Sequence, residues 1–140
     1  MSKIHSTAII DKNCTIGNNV TVGAYTVIEG NVKIDDDNII FPSVYISGNT
    51  DIGKSNKIFS FSSIGAVPQD LKFNNEKSKL RIGDKNTIRE HCTFNLGTKG
   101  GGMLTEVGDN SLFMAGVHVA HDCIIKNNTI LANQVTLGGH

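Results

Sequence analysis

From Ile4 to Ile64 an aliphatic residue returns at every sixth position without a miss: Ile4, Ile10, Ile16, Val22, Ile28, Ile34, Ile40, Ile46, Ile52, Ile58 and Ile64. A helix repeats near 3.6 residues and a half-buried strand near two, so neither makes this rhythm. A period of six is that of a parallel β-helix in which each hexad is one side of a triangular coil and three hexads close a turn. The other places of the hexad agree. Gly often follows the aliphatic leader (Gly17, Gly23, Gly53, Gly83, Gly108), as a sharp corner requires. The fourth place favours Asn or Asp (Asn13, Asn19, Asn31, Asp37, Asn110, Asn128), which tolerate a left-handed backbone. The fifth is small or β-branched (Ala8, Cys14, Val20, Thr26, Val44, Val117), suiting an inward position on a stacked strand.

The pattern breaks twice. After Ile64 the next clear hexads start at Ile82, Ile88 and Phe94, and Asp70 to Arg81 is too polar to line a core, which predicts a loop thrown out near 70–81. From Phe94 to Val107 the spacing is one residue more than two hexads. The slip falls at Lys99 to Met103, around Gly100, Gly101 and Gly102, and predicts a second loop or bulge within 99–106. Hexads then continue through Val107, Phe113, Val119, Ile125, Leu131 and Leu137 and are still running at His140. Solenoids normally end in an atypical cap. The expectation is therefore one domain, 1–140, that is an incomplete β-helix from the N-terminal part of a longer protein.

Thirteen basic residues balance thirteen acidic ones, so the chain has no basic field for nucleic acid or an anionic membrane. No apolar run is long enough for an integral membrane segment and no charged-then-hydrophobic leader opens the chain, which predicts a cytoplasmic protein. Cys14, Cys92 and Cys123 all fall on the inward fifth place. They are read as core residues, with no disulfide.

Candidate chemistry lies in the histidines of Val117-His118-Val119-Ala120-His121-Asp122-Cys123 and at His140. His121 occupies the third place of its hexad, a corner pointing away from the core. One 18-residue coil further on is Gly139, which should lie beside His121 at the ~4.8 Å spacing of neighbouring strands. An imidazole to take a proton, next to a backbone N–H to receive a developing oxyanion, is what acyl transfer from a thioester to a hydroxyl requires. Asp122 has two open readings, as the carboxylate that orients His121 and as a corner residue chosen for backbone geometry. His118, in the sixth place, is a substrate contact or a subunit-interface residue. His5 and His91 read as surface residues. Three histidines also invite a zinc reading, but the ligands would have to converge from neighbouring subunits, so no metal and no cofactor is expected.

The segment Ser63 to Phe73 (SIGAVPQDLKF), followed by Ile88-Arg89-Glu90, Gly97-Thr98, Gly100-Gly101-Gly102, His118 to Cys123 (HVAHDC) and Leu131-Ala132-Asn133, resembles the hexapeptide-repeat UDP-N-acetylglucosamine O-acyltransferases of lipid A synthesis. The match runs in order over essentially the whole chain. The resemblance implies an all-β fold, a left-handed parallel β-helix, assembled as a homotrimer with active sites between subunits. It implies transfer of a (3R)-hydroxyacyl chain from acyl carrier protein to the 3-position of UDP-N-acetylglucosamine. In that reading His121 is the general base, Gly139 supplies the oxyanion N–H, and Gln69, Asp70, Lys72, His118 and His140 line the substrate cleft. Asn95 stands where relatives commonly carry a His. Three other readings stay open at this point: the related N-acyltransferase of the same pathway, a γ-type zinc carbonic anhydrase, and a non-catalytic β-helical scaffold.

Overall fold

The computed structural model describes residues 1–140. Each hexad contributes a strand of only two residues in its simplest form, as in Thr15–Ile16 and Thr21–Val22, where the sixth-place residue points out and the leader points in. Such a strand cannot stand alone. It is held by the same two places one coil away: Ile4 stacks on Val22, Val22 on Ile40, Ile40 on Ile58, Ile58 on Ile88, Ile88 on Phe113 and Phe113 on Leu131. All pairings are parallel. They generate three flat sheets of seven, seven and six strands, the faces of a left-handed β-helical prism. The leaders form files down its axis, and Val22, Ile28, Ile40, Ile46, Ile64, Ile88 and Phe94 are essentially inaccessible to solvent. Phe94 and Phe113 meet edge to face at 5.1 Å, filling the section beneath the site described below.

Most fourth-place corners take the left-handed conformation, whatever the residue: Asn19, Asp37 and Asn110 do so, but also Tyr25, Ser43, Phe61, Lys85, His91 and Gln134, all at φ between 55° and 69°, whereas Asn13 and Asn31 do not. The preference for Asn and Asp is thus narrower than the requirement. What enforces the geometry is a bond between coils, in which the corner N–H donates to a carbonyl of the coil below: Asp37 to Asn18, Ser43 to Ala24, Lys85 to Lys54, Asn110 to Asp84 and Gln134 to Ala115, at 2.8–3.0 Å. One inter-coil hydrogen bond per corner offsets the ~1–2 kcal/mol cost of the left-handed region.

One edge departs from the small, β-branched fifth place. Asn38, Asn56 and Asn86 are fully buried there and form a ladder. The Asn38 side-chain oxygen accepts from the Asn56 N–H (2.8 Å), that of Asn56 from the Asn86 N–H (2.8 Å) and that of Asn86 from the Ser111 N–H (2.9 Å). Each amide group in turn donates to a carbonyl of the next coil, of Gly53, Gly83 and Gly108. Corner backbone groups that would otherwise be buried without partners are satisfied in this way.

Both interruptions are insertions, and their bounds differ from the sequence expectation. The strand Lys79–Ile82 already belongs to the third face, with Leu80 fully buried between Thr50 and Thr105. Its polar neighbours Lys79 and Arg81 point out and pair with Asp51 (2.7 Å) and Glu106 (2.9 Å). The protruding loop is therefore 67–78, not 70–81. Asn56 and Asn86, stacked neighbours, are 30 residues apart instead of 18, an insertion of 12. Likewise the strand Leu104–Val107 is regular, a short 3-10 turn covers Lys99–Gly101, and the second loop is 97–103, not 99–106. Stacked Thr93 and His118 lie 25 apart, so the change is one hexad plus seven inserted residues, where the spacing alone suggested two hexads and a slip. The polar character of Lys79 and Arg81 concealed a strand whose outward places are simply charged.

Both insertions leave the second face after its leaders, Ile64 and Phe94, and rejoin the third. They share one edge of the prism with the corner that follows Val119. The asparagine ladder on another edge gives a test of the fold: Asn56→Ala orphans the Asn86 N–H and the Gly83 carbonyl and is expected to cost about 2–4 kcal/mol of unfolding free energy in denaturant titrations. The exposed neighbour Lys57→Ala should change it by less than about 0.5 kcal/mol.

Candidate active site

His121 and Asp122 follow Val119, whose inward side chain fixes the corner, and Asp122 takes the left-handed turn at φ 66°. The two readings of Asp122 therefore coexist. It is a corner residue, and its carboxylate, with no exposed surface, accepts from His121 Nδ1 at 2.9 Å. The same carboxylate accepts from the Thr98 N–H at 2.8 Å and from the Thr98 hydroxyl, while its own N–H donates to Thr105 Oγ1 at 2.8 Å. Burial alone pushes this carboxyl toward the neutral form. The hydrogen bonds from Thr98 and His121 outweigh that and hold it below the ordinary carboxylate range, so it is anionic at neutral pH.

An Nδ1 proton held by Asp122 leaves Nε2 of His121 as the free basic nitrogen of the ring, which is 14 % exposed. Gly139 lies against that ring, as the 18-residue offset predicts: the His140 N–H donates to the His121 carbonyl at 3.0 Å, and any Cβ at position 139 would overlap the imidazole. The position has to be glycine for His121 to keep this place. No group of the chain accepts a hydrogen bond from the Gly139 N–H.

A cleft of about 390 Å³ opens beside the pair, lined by Asp70, Lys72, Glu76, Thr98, Lys99, Gly100 and His140. Three of the residues expected at a substrate cleft, Asp70, Lys72 and His140, are thus brought together by the first loop and the last corner. Gln69 is exposed on the same loop but does not line the cleft. His118 stands on the flat second face, with its Nδ1 2.6 Å from Thr93 Oγ1. Partial burial first, and the neighbouring charge of His121 second, push its pKa below that of a free histidine. Asn95 is buried, and its side-chain oxygen accepts no hydrogen bond.

Donor atoms of His121, Asp122 and His140 converge within 4.8 Å of one another. They do so within one chain, which corrects the expectation that ligands could meet only across subunits: the left-handed corner turns Asp122 back toward His121, and coil stacking brings His140 to the same spot. The Asp122 oxygen of that set is already engaged by the Thr98 hydroxyl and His121.

Three residues at the site carry no periodic signal. Thr98, Gly101 and Glu76 all lie in the insertions, where spacing says nothing about position. A Cβ at Gly101 would overlap the Asp122 carboxylate, and Glu76 ties the two loops together by accepting from the Lys99 N–H at 3.0 Å and the Asn74 N–H at 2.7 Å. The Gly97-Thr98 and Gly100 to Gly102 motifs were the only available hint.

Residues 105–139 match the bacterial transferase hexapeptide (six repeats) family. Over all 140 residues the chain is 57% identical to an acyl-(acyl-carrier-protein)–UDP-N-acetylglucosamine O-acyltransferase of Aliarcobacter butzleri, covering 54% of that protein. Among solved structures it is similar to LpxA from Acinetobacter baumannii (TM-score 0.97, 44% identity, 98% of this chain and 53% of that one). It is similar as well to the UDP-N-acetylglucosamine acyltransferase of Campylobacter jejuni (TM-score 0.94, 40% identity, 99% and 54%). The chain spans about half the length of the relatives it matches. By fold, by the loops at one prism edge and by sequence, it is similar to the N-terminal half of UDP-N-acetylglucosamine O-acyltransferases and carries the bacterial transferase hexapeptide repeat.

Proposed function

We propose that this chain carries the acyl-transfer site of an enzyme that moves a (3R)-hydroxyacyl group from acyl carrier protein to the 3-hydroxyl of UDP-N-acetylglucosamine, the first step of lipid A synthesis. The observation that carries the reading is the Asp122–His121 pair facing Gly139 beside a polar cleft. Held by Asp122 at Nδ1, His121 offers Nε2 to the sugar hydroxyl. As the hydroxyl oxygen bonds to the thioester carbonyl carbon, its proton passes to Nε2. The carbonyl oxygen gains negative charge, which the Gly139 N–H receives. The C–S bond then breaks, the imidazolium returns its proton to the departing thiolate, and an ester and a free carrier thiol remain. Asp122 stays ionised throughout and stabilises the transient imidazolium.

In this reading Asp70, Lys72, Gln69, His118 and His140 contact the substrates, and the partners are acyl carrier protein, the nucleotide sugar and two further copies of the chain in a homotrimer. The flat sheet faces offer surface for that association. No helix is long and apolar enough to cross a membrane. In this reading the enzyme acts on soluble substrates in the cytoplasm.

The test is turnover of UDP-N-acetylglucosamine with a 3-hydroxyacyl carrier protein. In the intact protein His121→Ala should lower the rate by at least ~10²-fold with an unchanged circular dichroism spectrum; near-normal turnover would remove the assigned mechanism. Asp122→Asn should lower kcat while leaving the fold in place. Stability offers a second readout. Because the folded-state pKa of Asp122 is depressed, its contribution is complete above the ordinary carboxylate value near ~4 and is lost as pH falls through the lower folded value. Thermal melts from neutral to acid pH should show a shallower acid-side decline for Asp122→Asn than for the parent.

A further inference from the structure

We infer that Thr98 is a positioning residue for the reaction, acting through Asp122, and that the 97–103 insertion exists to deliver it. This rests on the reading of His121 as general base. Asp122 lies at a left-handed corner whose backbone would be formed with or without a neighbour, as the other left-handed corners of the prism show. Its side chain is not fixed by that backbone. Two donors of one residue, the N–H and the hydroxyl of Thr98, close on the carboxylate, and Thr98 is itself 2 % exposed. With both in place the carboxylate accepts three hydrogen bonds, of which only the third comes from His121. A carboxylate anchored in this way holds the imidazole at one rotation and in one tautomer, and the anchoring costs nothing at the moment of reaction.

The insertion is built around this contact. The carbonyl of Thr98 accepts from the Gly101 N–H (3.2 Å) and the Met103 N–H (2.8 Å), so the chain curls over Asp122 in a single tight turn. Gly101 passes so close that a side-chain carbon there would overlap the carboxylate. Its φ is not in the left-handed region, so glycine is required at this point by the approach to Asp122 and not by backbone strain. The turn is tied to the first loop through Glu76, the acceptor of the Lys99 N–H. A continuous set of hydrogen bonds thus runs from the loop bearing Asp70 and Lys72 through Thr98 to His121.

The experiment is steady-state kinetics on the intact protein with UDP-N-acetylglucosamine and a 3-hydroxyacyl carrier protein, with His121→Ala in parallel. Thr98→Val keeps the shape and the backbone donor and removes only the hydroxyl. Loss of one hydrogen bond to a charged group predicts a fall in kcat of about tenfold or more, with KM within about twofold of the parent. Thr98→Ser should restore kcat to within about threefold, since the hydroxyl returns. If Thr98 acts through Asp122, then Thr98→Val added to Asp122→Asn should lower kcat by less than about a further twofold. Should Thr98→Val fail to fold, Thr98→Ala decides the matter, because it too keeps the backbone donor and removes the hydroxyl, and it must reproduce the kcat-specific loss. An unchanged kcat in Thr98→Val, a loss carried by KM, a serine variant as slow as the valine one, or a full additional loss in the Asp122→Asn background would each overturn the assignment. Loss of activity in His121→Ala with full activity in Thr98→Val would overturn only the role of Thr98. Full activity in His121→Ala would remove the base and Thr98 together.

Discussion

Each coil of this protein is held by the coil beneath it through the hydrogen bond that a left-handed corner N–H donates downward, and the straight prism depends on that bond recurring in register. Strands of two residues make too few ladder contacts to be stable singly. Because every corner of one edge repeats the same bond, the coils superimpose, the leaders fall into files, and a core only a few side chains wide becomes continuous along the axis. The residue at the corner is secondary. Tyr25, Phe61 and His91 are accepted where Asn or Asp would be easier, and the stacking of Phe61 on His91 at 5.2 Å returns part of the cost.

A strict stack of flat faces offers no concavity in which a substrate could be enclosed. The protein makes one by interrupting the stack without breaking it. Both insertions depart and return at the same edge, so the coils above and below remain in register, as the stacking of Leu80 between Thr50 and Thr105 and of Val107 on Ile125 shows. The loops rise around the corner that carries His121, and Glu76 closes one loop on the other. Local irregularity is thereby confined to the place where polar groups must face one another away from bulk water.

The electrostatics follow from this confinement. In solvent an aspartate beside a histidine contributes little to its orientation. Here Asp122 is removed from water, which by itself disfavours its charge, and is kept charged by donors from an insertion that lies outside the repeating coil. The site thus combines a rigid scaffold, which sets the distance from His121 to Gly139, with an added segment, which sets the state and direction of the carboxylate.

The six-residue period by itself determined the three faces, the inward leaders and the pairing of His121 with Gly139, because in a periodic fold sequence distance converts directly into position and an offset of 18 means adjacency. It also marked His121 as outward-facing and the three cysteines as core positions. Tertiary structure alone decided what lies within or across the insertions. Once 12 and 7 residues are added the arithmetic no longer applies, and the contacts of Thr98, Gly101 and Glu76 are set by how the loops close on the edge and on each other. Leu80 was hidden for a related reason: one buried residue between two charged ones gives too short a signal to distinguish a strand from a polar loop. The buried Asn38–Asn56–Asn86 ladder was hidden as well, since an asparagine in the sequence reads as a turn residue until the coil above supplies the N–H that makes its burial favourable.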